Sequence, residues 1–440
     1  MSIAEFFIHV NDNWMLMGLC IVLSIFIYFI AFKPYWKSVL DPLSFMILGS
    51  CMGCAVVLFL HFAKLMDNIY FFSYCTTQLC FYFGFRYGYK NKLKFILRNE
   101  RHIKDINQFT KYVFISAAII DFFSQMIQYK MTGIPIFMSS RLNMMADAGG
   151  AGILTRFISI CRAFTIIMGF YYMQKNNSAP LLRKFAIFYL IYVVITCILS
   201  GSRGSVLIFG TAFFYYVVAF RETYSKLNSY LSKYEFKILF VLAFLTIAVN
   251  ILKFGNLSTG IEMLGVRILS FGDTYYYAYP NNLIEQVDDS QPFKSIFSSF
   301  LGFFRIYSYS ELPNPIGLDL FNFFSKNGDI GGPNARHNIV AYLYFGLFGG
   351  LLFSYILGWA TGYFRKLFFK TRHKTLLGIA VSAWLYGAAC GIETDINLYF
   401  FKLNSFIIAV PIIIVLAFIL FVLAKMRQRI ISRQPGILTH

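Results

Sequence analysis

Long blocks of apolar residues, separated by short polar stretches, recur from one end of the chain to the other. Each is about 16 to 25 residues long, enough to cross the hydrocarbon core of a bilayer as a helix. The pattern predicts eleven spans, near 14–32, 42–63, 69–88, 109–128, 153–173, 185–200, 204–220, 238–253, 338–363, 375–392 and 405–424. The expected fold is an all-α polytopic integral membrane protein, one transmembrane domain over 1–440. A long extramembrane loop over 254–337 is inserted between the eighth and ninth spans. No internal repeat or low-complexity segment interrupts the series. The first block has no basic stretch before it and no small-residue cleavage site after it, so it reads as a first membrane helix and not a removable signal.

Composition agrees with this reading. Hydrophobic residues make up 58% of the chain and charged residues 13%, where a soluble domain carries roughly a quarter charged residues. The net charge of +19 does not point to nucleic acid, because the basic residues are distributed among the connecting segments. Of the 39 Lys and Arg, 26 fall on alternate connections, around 33–37, 86–111, 175–184, 221–237, 365–374 and the tail from Lys425. The positive-inside rule makes that side cytoplasmic. The N-terminus is then outside and the C-terminus cytoplasmic. The eight cysteines sit in or beside apolar blocks, and Cys51-Met-Gly-Cys54 reads as helix packing, not a redox motif.

The opposite side collects the unusual residues. Arg141, Arg156, Arg162, Arg203, Arg267, Arg305 and Arg336 all lie away from the basic connections. An arginine within the bilayer costs roughly 2.5–3.5 kcal/mol on insertion scales, and its planar fork fits phosphate and carboxylate. The competing reading is snorkelling, or pairing with outer acids such as Asp147, Asp273 or Glu311. Ser200-Gly-Ser-Arg203-Gly204 is a tight turn between closely spaced spans that sets Arg203 at the membrane boundary. Arg336-His337-Asn338 opens a span whose Gly346, Gly349 and Gly350 are expected to pack tightly against a neighbour. Beside Arg336 the His337 ring is expected to stay neutral and able to accept a proton; otherwise it holds the loop by hydrogen bonds. The aromatic-rich stretch 254–337 is expected to lie along the outer interface as one or two amphipathic helices.

No metal site is expected: histidines and acids lack ligand spacing, and Glu393-Thr-Asp395 alone is a weak candidate for a divalent cation. Asp288-Asp289 reads as a solvated loop and Asp121 as a helix–helix hydrogen bond. Nucleotide-binding and soluble nucleophile motifs are absent, so the energy for any reaction has to come from an activated substrate in the membrane.

Three features resemble the bacterial oligosaccharide repeat-unit polymerases, the O-antigen or Wzy-type family, which is related to the O-antigen ligases. They are Gly133-Ile-Pro-Ile-Phe137 followed by Arg141, the Ser200–Gly204 turn, and Arg336-His337-Asn338 running into Phe345-Gly346-Leu-Phe-Gly349-Gly350. The likeness covers about 130–350. It implies a type-C glycosyltransferase-like fold without metal or other cofactor, acting at the periplasmic face on undecaprenyl-diphosphate-linked oligosaccharides. The growing glycan would pass from its lipid diphosphate to the non-reducing end of an incoming lipid-linked repeat unit, in surface polysaccharide or lipopolysaccharide biosynthesis. His337, Arg336 and Arg203 would be catalytic, and Arg141, Arg156, Arg267 and Arg305 would hold diphosphate or glycan. The lipid bilayer, a chain-length regulator and a flippase would be its partners, with no nucleic acid. The outer loop lacks the second histidine that the ligase comparison would lead one to expect. The alternatives are an O-antigen ligase and a lipid-linked oligosaccharide transporter or flippase, the latter expected to show midplane charges and two related halves.

Overall fold

The computed structural model describes residues 1–90, 101–137, 151–174, 180–200, 203–221, 233–237, 240, 265, 266, 268–325, 332–370 and 375–433. Among them every regular element is helical. The principal helices are α1 (Ile3–Asp12), α2 (Trp14–Phe32), α3 (Pro42–Phe62), α4 (Asn68–Lys90), α5 (Arg101–Thr132), α6 (Ala151–Gln174), α7 (Pro180–Leu199) and α8 (Arg203–Phe220). After the short helices α9 (Asp273–Ala278), α10 (Pro292–Ile296), α11 (Ser298–Phe303) and α12 (Ile316–Asn322) come α13 (His337–Lys370), α14 (Leu376–Ala389) and α15 (Ile396–Arg433).

Seven of these, α2, α3, α5, α6, α7, α13 and α15, contain stretches long and apolar enough to cross a membrane. The protein is a polytopic, all-helical membrane protein. The expected span at 69–88 is a helix, α4, but its Tyr, Thr, Ser and Gln content leaves it less apolar than the seven. Those at 204–220 and 375–392 coincide with shorter apolar helices, and the one at 238–253 lies outside the described residues.

Two compact units divide the chain. The first comprises Met1–Leu93, Phe220–Thr371 and Leu385–Lys402. Helix α3, buried over most of its length, is its core, capped by Asp41, whose Oδ1 accepts the Leu43 N–H at 3.1 Å. Helices α4 and α13 approach until backbone touches backbone. A Cβ on Gly84 would lie 2.1 Å from the Tyr355 carbonyl oxygen and one on Gly88 2.2 Å from that of Trp359. Reciprocally, Gly358 and Gly362 would meet the Phe81 and Phe85 oxygens at 2.0 and 2.1 Å. This is small-residue packing at four-residue spacing on both partners, the way membrane helices gain contact where no hydrophobic effect separates them from lipid. The expected close-packing glycines behave otherwise, except that a Cβ on Gly350 would come within 3.0 Å of the Ala341 carbonyl oxygen of the same helix. Gly346 breaks α13 at φ +62°, with open space where its Cβ would be, and Gly349 meets only Phe345 of its own helix.

The long loop also differs from expectation. Instead of one or two interfacial helices, its described residues form four α-helices of five to seven residues, with Pro280, Pro292, Pro313 and Pro315 in or at the ends of the breaks, because proline cannot continue a helix from within. Part of its aromatic content is core: Tyr275, Tyr276 and Tyr279 are buried, and Tyr276 stacks on Phe6 at 4.4 Å. Arg365, counted above with the basic connections, lies inside α13, fully buried and 2.8 Å from Asp41. Tyr386 and the Tyr35 carbonyl complete its shell.

The second unit comprises Lys94–Ala219, Arg372–Trp384 and Leu403–His440. Its centre is the antiparallel pair α5 and α6 with α7 beside them. A polar seam runs through that centre. Asp121 on α5 pairs with Arg162 on α6 at 3.2 Å and accepts the Tyr189 hydroxyl of α7 at 2.8 Å. Arg162 also donates to Gln125 at 2.7 Å and Thr196 at 2.9 Å. Further along, Gln128 donates to Thr155 at 3.1 Å. Asp121 is thus a helix–helix hydrogen-bonding group with an ionic partner.

Candidate functional site

At the N-terminal end of α13, three consecutive residues are buried and held by other parts of the first unit. Arg336 places Nη1 2.8 and 2.6 Å from the two Glu393 oxygens. Its Nη2 donates to the Gly49 carbonyl of α3 at 3.1 Å and to the Phe271 carbonyl at 2.6 Å. Asn338 donates to Thr77 at 2.9 Å and Gln78 at 3.2 Å on α4 and accepts the Tyr275 hydroxyl at 2.8 Å. Between them, the His337 backbone N–H donates to the Glu393 carbonyl at 3.2 Å, and Nδ1 lies 3.4 Å from the same oxygen.

The sequence builds this knot for a physical reason. A helix beginning in apolar surroundings leaves its first N–H groups without intrahelical partners, and a guanidinium there must be matched by an anion. Glu393, in the turn after α14, supplies that charge and its backbone carbonyl accepts the His337 N–H. Arg336 has therefore committed both terminal nitrogens to the protein. His337 has not: its Nε2 is buried without a hydrogen-bond partner, and the Phe81 ring lies 4.9 Å away, centroid to centroid. An imidazole nitrogen in that state has a lone pair or a proton to exchange. Chemically, the cluster holds the turn rigid and leaves one ring nitrogen of His337 without a hydrogen bond.

The other expected site residues are distributed. Arg156 and Arg162 lie on α6 in the second unit, both buried, Arg156 with Nη1 3.4 Å from Ser405. Arg203 is the first residue of α8. Arg305 is exposed at φ +56° in the turn after α11. Arg141 and Arg267 lie outside the described residues. Gly133, at φ +78°, ends α5 ahead of a single 3₁₀ turn over Pro135–Phe137. Sequence reasoning overlooked Glu393 as the partner of Arg336; its signal was an acid near the start of a spanning helix. Of the acidic pair Glu393-Thr-Asp395, the first carboxylate is bound to Arg336 and the second caps α15, its Oδ1 accepting the Asn397 and Leu398 N–H groups at 2.8 and 3.1 Å. Burial pushes the Asp395 carboxyl above the ordinary carboxylate range. No group of three or more potential metal ligands occurs among the described residues, and their cysteines are free.

No protein-family model, no curated protein and no solved structure matches this chain.

Proposed function

We propose that the protein is a membrane-embedded glycosyltransferase of eleven spans and type-C-like fold, polymerising lipid-linked oligosaccharide repeat units at the periplasmic face of a bacterial inner membrane. The observation that carries this reading is His337, a buried ring with an uncommitted Nε2 at the mouth of a spanning helix. In the reaction, a hydroxyl at the non-reducing end of the incoming repeat unit attacks the anomeric carbon of the growing glycan. The bond to the lipid diphosphate breaks, the leaving group departs with its electron pair, and His337 takes the hydroxyl proton. Arg336 acts as a positioning residue, since its nitrogens hold Glu393 and, through that turn, the His337 ring. Of the arginines expected to hold the diphosphate, Arg305 is exposed and lies in the same unit as His337, and it would neutralise charge on the departing group. His337 is fully buried, so its surroundings have to move aside for a hydroxyl to reach Nε2.

The test is purified protein mixed with lipid-linked repeat units in the absence of added metal, resolved for glycan ladders. A ladder is expected. A second reading, movement of a lipid-linked oligosaccharide across the bilayer, is favoured by one observation: the Asp121–Arg162 pair within two spanning helices, since intramembrane ion pairs mark transport paths. A ligase differs in acceptor: its deletion strain would lose all repeats from lipopolysaccharide, where loss of a polymerase leaves single repeats.

A further inference from the structure

Helix α13 does not run straight. Near its start the His337 ring lies 4.9 Å from that of Phe81, centroid to centroid. Asn338 donates to Thr77 and Gln78, and Tyr342 meets Tyr70 at 5.4 Å. Over residues 337–342 the chain therefore passes α4 from Phe81 back to its first turn, antiparallel to it. Beyond Gly346 the order reverses. Gly358 closes on Phe81 and Gly362 on Phe85, so residues 347–370 run parallel to α4. The two arms also touch each other. A Cβ on Gly350 would lie 3.2 Å from that of Ala341, and Phe345 stacks on Phe353 at 4.8 Å. In an unbroken helix, residues nine apart are separated by about 13 Å. The reversal falls at Gly346, whose φ of +62° and ψ of −168° form a combination essentially confined to glycine.

The second arm supplies the span: residues 347–370 make a helix about 36 Å long, enough to cross the hydrocarbon core. The first arm, residues 337–345, is about 13 Å long and reaches half way. Its inner end is fixed against α3, itself long and apolar enough to span. A Cβ on Gly49 would lie 3.2 Å from Arg336 Nη2, and one on Gly53 3.9 Å from Arg336 Cζ. These glycines are residues 8 and 12 of the 21 in Pro42–Phe62, so the guanidinium stands beside the middle of a span. The other end of the hairpin is open: Phe345, Gly346, Phe348 and Gly349 are exposed. Backbone that leaves a helix at membrane depth is tolerated where protein encloses it, and Ala335, Arg336, His337 and Asn338 are all buried.

We infer that residues 337–345 are a re-entrant arm, turned back at Gly346, which sets Arg336, His337 and Asn338 at the mid-depth of the membrane and not at its surface. Gly346 is then a positioning residue for His337. The inference rests on the polymerase reading for the chemistry alone: there, the hydroxyl proton is taken up within the hydrocarbon layer.

Two measurements on the full-length protein test the arm, with the modified cysteine located by mass spectrometry. In Ala341→Cys with Gly350→Cys, mild oxidation should close a disulfide between positions 341 and 350, which in a straight helix lie beyond the reach of one. In nanodiscs, a membrane-impermeant maleimide should label Phe348→Cys at least about tenfold faster than Ala335→Cys, because an enclosed thiol meets reagent only on local opening. A straight helix starting at the surface predicts the reverse order, with position 348 about 20 Å deeper than position 335. No disulfide in the folded double variant, or Ala335→Cys labelled as fast as Phe348→Cys, overturns the inference. Polymer made by the disulfide-closed variant at the wild-type level supports the hairpin as the working form. Polymer lost on closure and regained with reductant overturns that form and leaves the polymerase. A closed disulfide in a protein whose wild type makes no polymer sinks the polymerase and leaves the arm.

Discussion

Arg336 Nη1 lies 2.8 and 2.6 Å from the two oxygens of Glu393, 57 residues further along the chain. The pair ties the start of α13 to the turn between α14 and α15, and Nη2 ties both to α3 through Gly49. Removing one partner leaves a buried charge uncompensated, at a cost of about 3–5 kcal/mol. Glu393→Ala and Arg336→Ala should each lower the thermal unfolding temperature of the detergent-solubilised protein strongly. Arg336→Met with Glu393→Met should recover most of the loss. Equal loss in single and double variants would show that the pair is not what holds the turn.

The α4–α13 contact predicts a different pattern. Gly84→Leu and Gly358→Leu place side chains where the facing carbonyl oxygens lie 2.1 and 2.0 Å from the Cβ position, so the helices must part and the first unit should not assemble. Gly346→Ala meets no neighbour and is disfavoured only by its backbone conformation, at about 1–3 kcal/mol. Expression in membranes and resistance to limited proteolysis distinguish the two classes.

Much of this was legible in the chain. Trp14–Phe32 and Pro42–Phe62 fall within a residue of the expected spans, because a continuous apolar block between polar ends has one economical placement. The close packing was written in Gly84-x-x-x-Gly88 and Gly358-x-x-x-Gly362 but was assigned to Gly346, Gly349 and Gly350; spacing alone does not say which glycines face a partner helix. Arg336, His337 and Asn338 could be singled out, whereas their partners Glu393, Gly49, Thr77 and Tyr275 are 57 to 287 positions away. Long-range pairing of this kind leaves no local periodicity to read.

The Asp121–Arg162 pair separates the two functional readings. Asp121→Asn or Arg162→Gln alone should destabilise the second unit, since each strands one buried charge. The double variant removes both charges and leaves groups able to hydrogen-bond with Tyr189 and Thr196. If it folds and still forms polymer, the seam is structural. If polymer synthesis is absent and movement of labelled lipid-linked oligosaccharide across proteoliposomes is lost with the pair, the transport reading replaces it.

Asp395 gives a pH dependence. Its carboxyl is raised in the folded protein, so the folded state binds the proton more tightly than the unfolded chain, whose aspartate titrates near about 3.9. Stability from this group is fully present below that unfolded value and is lost as pH rises through the folded value. Unfolding temperature measured from pH about 4 upward should fall with pH more steeply in wild type than in Asp395→Asn. Parallel profiles would show that Asp395 does not titrate within this range.

The account turns on His337 as the proton acceptor of a glycosyl transfer. The most direct measurement is the chain-length distribution made from lipid-linked repeat units by purified wild type and by His337→Asn, each shown to be folded by its unfolding temperature. Wild type should build a ladder and His337→Asn only unextended repeat units. A ladder of wild-type length from folded His337→Asn, or none from folded wild type, would contradict it.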